Sequence, residues 1–312
     1  DKVGIPPLIS IHNPKLEGKL PEYSEYIGRM SYLLRGGRRV ADIALLYPIA
    51  DLQGFFRFQA EENIRPGHWT SEYTNYTQIS EMLSEDIYRD FTFVHPELLL
   101  TDKYEISDGR LKLLNKENFQ DYDVLIMPAQ RVMSVRTLSK IKEFYDEGGK
   151  IIAVGQLPSV SSEFGKEKEL QEIIRYIFGE SNSRTNDNGG ISIRLPELSV
   201  ETLRDALQRV DTTPDVMYSN LPDLTSDAGC LSYIHKVKEG RNIYFIANSS
   251  RSSIDTEISL RGKMKVELWN PYTGQIQKID RVEYKDIDNQ QYSCFRLKLD
   301  GIDSVVIIGE GL

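Results

Sequence analysis

The chain has 312 residues, 40% of them hydrophobic and 27% charged, with 38 basic against 47 acidic side chains and a formal charge of −9. That length suits about two domains, each able to bury a core, and the acidic balance excludes the basic stripe that a nucleic-acid or anionic-membrane surface needs. The 17 Tyr, 11 Phe and 2 Trp are too many for a disordered chain, and no run of about 18 apolar residues is present to span a membrane.

Residues 1–40 form a leader. Pro6-Pro7 and Asn13-Pro14 impose extended or turn backbone. From Glu22 the apolar residues Tyr23, Tyr26, Ile27, Met30, Leu33 and Leu34 recur at helical spacing. Gly36-Gly37 stops that helix, and Arg35, Arg38 and Arg39 lie where its dipole favours cations. Its single apolar stripe requires a packing partner.

Residues 41–210 alternate strand and helix. Asp42-Ile-Ala-Leu-Leu-Tyr47-Pro48, Phe91-Thr-Phe-Val94, Asp123-Val-Leu-Ile-Met-Pro128 and Lys150-Ile-Ile-Ala-Val-Gly155 read as buried parallel strands, with Gly190-Ile-Ser-Ile-Arg194 as a fifth. Helices are expected over 70–87, with Thr70 as N-cap, over 134–147 after Ser134, over 167–178 and over 200–209 after Ser199. Asp108-Gly109 reads as a turn between extended pieces at 103–106 and 110–114. Such alternation implies right-handed crossovers and a mostly parallel, doubly wound sheet.

Residues 211–228, rich in Thr, Pro, Asp and Ser, read as a linker. From 229 to 312, seven strand-like runs are separated by turn signals such as Glu239-Gly240, Asp288-Asn289 and Asp300-Gly301. Seven short strands in about 80 residues indicate an antiparallel β-sandwich. The expected fold class is α/β plus all-β.

The sequence is poor in catalytic patterns. His12, His68, His95 and His235 form no HxH, HxxxH or HExxH pair, so no metal site is expected. No GxGxxG or GxxxxGK[ST] loop is present, and no cofactor is expected. The chain lacks a GxSxG elbow, and no cysteine precedes Cys230, which disfavours a serine or amidotransferase-type nucleophile. Cys230 and Cys294 lie in strand-like contexts; buried free thiols, a disulfide and a catalytic thiol all remain open.

Four residues are candidates for ligand binding at the strand ends, where open α/β sheets bind ligands. His68 and Trp69, in Gly67-His68-Trp69-Thr70, offer an imidazole and an aromatic face to a sugar, or else form a helix-entry staple. His95 and Glu97 form an acid/base pair, or else a turn fixed by Pro96. Trp269 reads as a sandwich-core or interdomain aromatic. No two catalytic carboxylates can be selected from the 47 acids.

The segment Pro21-Glu-Tyr-Ser-Glu-Tyr-Ile-Gly-Arg-Met-Ser-Tyr-Leu-Leu-Arg-Gly-Gly-Arg-Arg-Val-Ala-Asp-Ile-Ala-Leu-Leu-Tyr-Pro48 resembles the exit from the catalytic (β/α)₈ barrel of α-L-rhamnosidase-like bacterial glycoside hydrolases (family 106) and related enzymes. Phe93-Val-His-Pro-Glu-Leu-Leu, Tyr122-Asp-Val-Leu-Ile-Met-Pro and Glu147-Gly-Gly-Lys-Ile-Ile-Ala-Val-Gly are similar to the flavodoxin-like, amidotransferase-like domain of that group. Val266-Glu-Leu-Trp-Asn-Pro-Tyr-Thr-Gly274 resembles a strand–turn of its C-terminal β-sandwich.

The resemblance implies that 1–40 is the remnant of an upstream barrel, which would be the chief partner of this chain, and that no catalytic residue lies within it. It also implies export to the periplasm or beyond, and a polysaccharide of plant or host origin as substrate. Asp1 is not a start methionine, so a mature product or an excised piece is expected. Three functions follow: an accessory region of a glycoside hydrolase, an independent carbohydrate- or small-ligand-binding module, or a self-sufficient enzyme of unrecognised type.

Overall fold

A computed structural model describes residues 18–56, 73–115, 119–210, 212–222 and 229–312. His12, His68, Trp69, the expected cap Thr70 and the proline pairs of the leader lie outside them.

In chain order, helix α1 (Leu20–Leu34) leads to the short strand β1 (Arg38–Arg39). The α/β part follows: β2 (Ile43–Leu46), α2 (Ile49–Gly54), α3 (Tyr76–Glu81) with a π turn over Met82–Asp86, β3 (Phe91–Val94) and α4 (Pro96–Leu99). A three-stranded meander, β4 (Tyr104–Ser107), β5 (Arg110–Leu113) and β6 (Gln120–Tyr122), precedes β7 (Val124–Met127) and β8 (Val132–Met133). Then come α5 (Val135–Asp146), β9 (Lys150–Val154), β10 (Val160–Ser161), α6 (Glu167–Phe178), β11 (Ser183–Thr185), β12 (Ile191–Leu195) and α7 (Val200–Arg209).

The main sheet has the order β3-β2-β7-β9-β12-β11, parallel throughout except for β11 at the edge. Because side chains alternate across a strand, the two faces carry different sets. Ala44, Leu46, Leu125, Met127, Ile151 and Ala153 pack under α5 and α6. Ile43, Leu45, Val124, Ile126, Ile152 and Val154 pack under α3 and α7. Both faces are therefore covered, which is why these strands read as continuous apolar runs. The chain turns back at β2, with β3 on one side and β7 on the other.

The C-terminal part contains β13 (Val216–Ser219), β14 (Leu231–Lys238), β15 (Arg241–Asn248), β16 (Ile254–Arg261), β17 (Met264–Trp269), β18 (Ile276–Lys278), β19 (Glu283–Ile287), β20 (Gln290–Leu299) and β21 (Asp303–Gly311). One antiparallel sheet runs β1-β14-β15-β21-β17-β18, the other β13-β16-β20-β19, and both contribute to one apolar core. Asp108–Gly109, Glu239–Gly240 and Asp288–Asn289 all take positive φ at both residues, the conformation of two-residue hairpins that match strand twist.

The structure corrects some of these expectations and decides between others. Residues 216–219 are not linker but strand β13, paired with β16, with Val216 buried. Residues 283–287 form an additional strand. Of the helix expected over 70–87, α3 starts at Tyr76, and Tyr73 before it is exposed. Both cysteines are free, Cys294 buried and Cys230 half-buried. Helix α1 finds its packing partner in the sandwich: Met30 and Leu33 lie on Ile243, Val306 and Ile308, with Trp269 beside them. Its C-terminal carbonyls are met by distant lysines rather than by the local arginines. Lys236 Nζ donates to Leu34 O (2.5 Å) and Lys238 Nζ to Tyr32 O (2.9 Å), placing cations at the negative end of the dipole.

Candidate functional site

The strand order reverses between β2 and β7, and their carboxyl ends are the place where such sheets form a ligand crevice. Asp51 of α2 is fully buried there. Its Oδ1 accepts hydrogen bonds from the Arg131 and Val132 amides (2.6 and 3.2 Å), while Oδ2 has no hydrogen-bond partner among the described residues. The Arg131 guanidinium lies between the rings of Phe55 and Tyr73, 3.0 and 3.5 Å from their centroids, with Nε 3.7 Å from Asp51 Oδ1. Asn75, which caps no helix with its side chain, accepts the Ala129 amide instead (2.8 Å). One carboxylate, one amide and one cation thus fix the loop after β7.

Beside this crevice, Tyr47, Tyr76, Phe93 and His95 form an aromatic cluster with centroid separations of 5.4–6.4 Å. Phe93 is exposed. The contact between His95 and Glu97 runs from the Glu97 backbone amide to His95 Nδ1 (3.3 Å), capping α4 at Pro96. The Glu97 side chain is exposed at the surface. The structure thus places His95 and Glu97 at the expected edge, joined as a helix cap. Asp51 and Arg131 have no motif around them; the only signal is an acid and a base within four residues of two strand-ending prolines, Pro48 and Pro128.

A second polar cluster joins the main sheet to the sandwich. Arg261 Nη1 is 2.8 Å from Asp42 Oδ2, and Arg261 Nε is 3.4 Å from Asp215 Oδ1. Asp215 Oδ2 is 2.8 Å from His235 Nδ1. Arg89 donates to Thr212 O (3.2 Å), and Arg39 pairs with Asp90. Burial works against the charge on Asp215, but His235, Arg261 and Arg89 outweigh it and hold its carboxyl below the usual range. Burial likewise opposes the charge on Arg261, which Asp42 and Asp215 hold above its ordinary value. Among the described residues, no group of three or more His, Cys, Asp or Glu has the geometry of a metal site, and no helix is long and apolar enough to cross a membrane.

A family model described as alpha-L-rhamnosidase, glycoside hydrolase family 106, matches residues 16–286. A putative beta-glucuronidase from Formosa agariphila is 25% identical over 160 residues, covering 50% of this chain and 12% of that protein. The rhamnosidase structure from Novosphingobium sp. PP1Y aligns over 93% of this chain and 24% of its own, with TM-score 0.66 and 18% identity. Alpha-L-fucosidase isoenzyme 2 from Paenibacillus thiaminolyticus aligns over 93% of this chain and 51% of its own, with TM-score 0.55 and 16% identity. At these identities the structural likenesses show the fold, and the chain spans between 12% and 51% of these relatives' own lengths. The family model covers most of the sequence, and the chain belongs to the alpha-L-rhamnosidase family, glycoside hydrolase family 106.

Proposed function

We propose that this chain, related to glycoside hydrolases, is the non-catalytic C-terminal accessory region of a bacterial enzyme acting on plant or host polysaccharide. In this role it buttresses an upstream catalytic barrel of the same polypeptide and borders the substrate cleft. The strand order of the main sheet, with helices on both faces, supports a flavodoxin- and amidotransferase-like unit followed by a β-sandwich. Export to the periplasm or the medium belongs to the same proposal.

One observation carries the accessory role. The ionic groups in the crevice are engaged in holding the chain together: Asp51 on the amides of Arg131 and Val132, Arg131 between two rings. The test is to assay this chain alone, and the longer polypeptide proposed to contain it, on aryl α-L-rhamnosides. Turnover is expected only from the longer protein; turnover by the 312 residues alone overturns the accessory role.

A second function, an independent carbohydrate-binding module, is favoured by the Tyr47–Tyr76–Phe93–His95 cluster, because exposed ring faces stack on sugars. Calorimetric titration with oligosaccharides distinguishes it. Saturable binding by the chain, lost in Phe93→Ala or Trp69→Ala, supports the module.

A further inference from the structure

His235 lies on β14 and is 4% exposed. Each of its ring nitrogens faces an oxygen: Nδ1 is 2.8 Å from Asp215 Oδ2, and Nε2 is 3.0 Å from Asn242 Oδ1. The orientation of the Asn242 amide is set at its other end, where Nδ2 meets the Met264 sulfur (3.2 Å) and the Gly309 carbonyl (3.5 Å). Turning the amide would set oxygen against both of these acceptors. A neutral imidazole has one N–H and can satisfy only one of its two neighbours, whereas an imidazolium satisfies both. The ring also lies flat on Tyr244, with centroids 3.9 Å apart and planes at 16°, a face that attracts a cation.

We propose that His235 is held as an imidazolium and that its proton is a pH-dependent latch between the sandwich and the main sheet. The contacts run in sequence from His235 to Asp215, from Asp215 to Arg261, and from Arg261 to Asp42 at the start of β2. Asp42 O in turn accepts the Asp123 and Val124 amides at the start of β7 (2.8 and 3.2 Å). The other charged or titratable groups around the joint are Arg89 and Asp90 before β3, Arg39 on β1, Tyr233 on β14, and Tyr292 on β20, whose hydroxyl donates to Pro214 O (2.8 Å).

When the proton leaves to solvent, the Nε2 lone pair faces Asn242 Oδ1. Asp215 then leans on Arg261, which it already shares with Asp42. The backbone of His235 has its own reporter, because the Val40 amide donates to His235 O (2.9 Å) beside the β1–β14 pairing, where the chain leaves the sandwich sheet for β2. A joint that needs a bound proton weakens as pH rises, since the open form then binds fewer protons than the closed one.

The test uses the whole chain with nitrogen-15 labelling, at about pH 5.5 and about pH 8.5, on either side of the ordinary histidine value near 6.5. At the lower pH, NMR should find both His235 ring nitrogens protonated. The protection factor of the Val40 amide should fall about tenfold at the higher pH in the native sequence. Asn242→Asp puts an anion against Nε2 and should move that transition to higher pH by about one unit. His235→Gln should show no such transition. A neutral ring at about pH 5.5, or a Val40 protection profile unaltered in Asn242→Asp, overturns the latch; the ring measurement on the native chain decides even if the variants fail to fold.

Discussion

The two buried polar clusters of this molecule solve different problems with similar residues. At the ends of β2 and β7, the Asp51 carboxylate accepts two backbone amides, and the Arg131 cation 3.7 Å from it is held between two aromatic faces. At the joint between the main sheet and the sandwich, Arg261 lies between the Asp42 and Asp215 carboxylates, and Asp215 also meets the His235 ring. The crevice cluster shapes a loop. The joint cluster fixes two sheets relative to each other, and each of its members leaves an uncompensated charge when a partner is removed. Burial of charge is common to both; dependence on a partner is not.

That contrast predicts a hierarchy of effects. The largest is expected for Asp215→Ala, which strands His235 and Arg261 in a buried site and should cost about 3–5 kcal/mol in urea unfolding. Its pH dependence has a definite sign. Asp215 is held below the usual carboxylate range when folded, so its stabilisation is complete above the unfolded value near 3.9 and is lost as pH falls through its folded value. Urea midpoints of the native chain should therefore drop on acidification below about pH 4, and the Asp215→Ala chain should lack that component.

In the crevice, Asp51→Ala should cost about 1–3 kcal/mol by leaving the Arg131 and Val132 amides without an acceptor. Asp51→Asn keeps one acceptor oxygen and should recover part of that loss. An effect of Asp51→Ala as large as that of Asp215→Ala would erase the distinction between the two clusters. Ser134→Ala, which removes the side-chain cap that accepts the Thr137 amide of α5 (3.0 Å), should cost about 1 kcal/mol. Asp255→Asn provides the lower bound. Arg296 and Lys298 hold its carboxyl down to about 2, yet the trio lies at the surface, so thermal unfolding should be unchanged within error.

The first interior part of the fold was legible because its signals are local. The apolar runs ending at Pro48 and Pro128 mark strands buried on both faces. Asp108-Gly109, Glu239-Gly240 and Asp288-Asn289 mark hairpins because so few residues accept positive φ twice. Strand β13 was hidden because Thr212, Pro214 and Asp215 give its surroundings a linker-like composition, while its pairing with β16 is decided some 40 residues further on. His95 and Glu97 could be placed at the sheet edge from the strand pattern. Asp51 and Arg131 could not be paired, since nothing in the chain between them records that β2 and β7 become neighbours.

The sequence by itself thus determined the alternation of the main strands and helices, the tight turns and the scarcity of metal and nucleotide patterns. These follow from side-chain periodicity and backbone preference within a few residues. Tertiary structure alone decided where α1 packs, which lysines meet its C-terminal carbonyls, and which acids and bases meet at the crevice and the joint. Those outcomes depend on contacts between residues more than about 200 positions apart, such as Asp42 with Arg261 and Met30 with Ile308. The energy of such a contact depends on burial and on the partner, and neither exists until the sheets have packed.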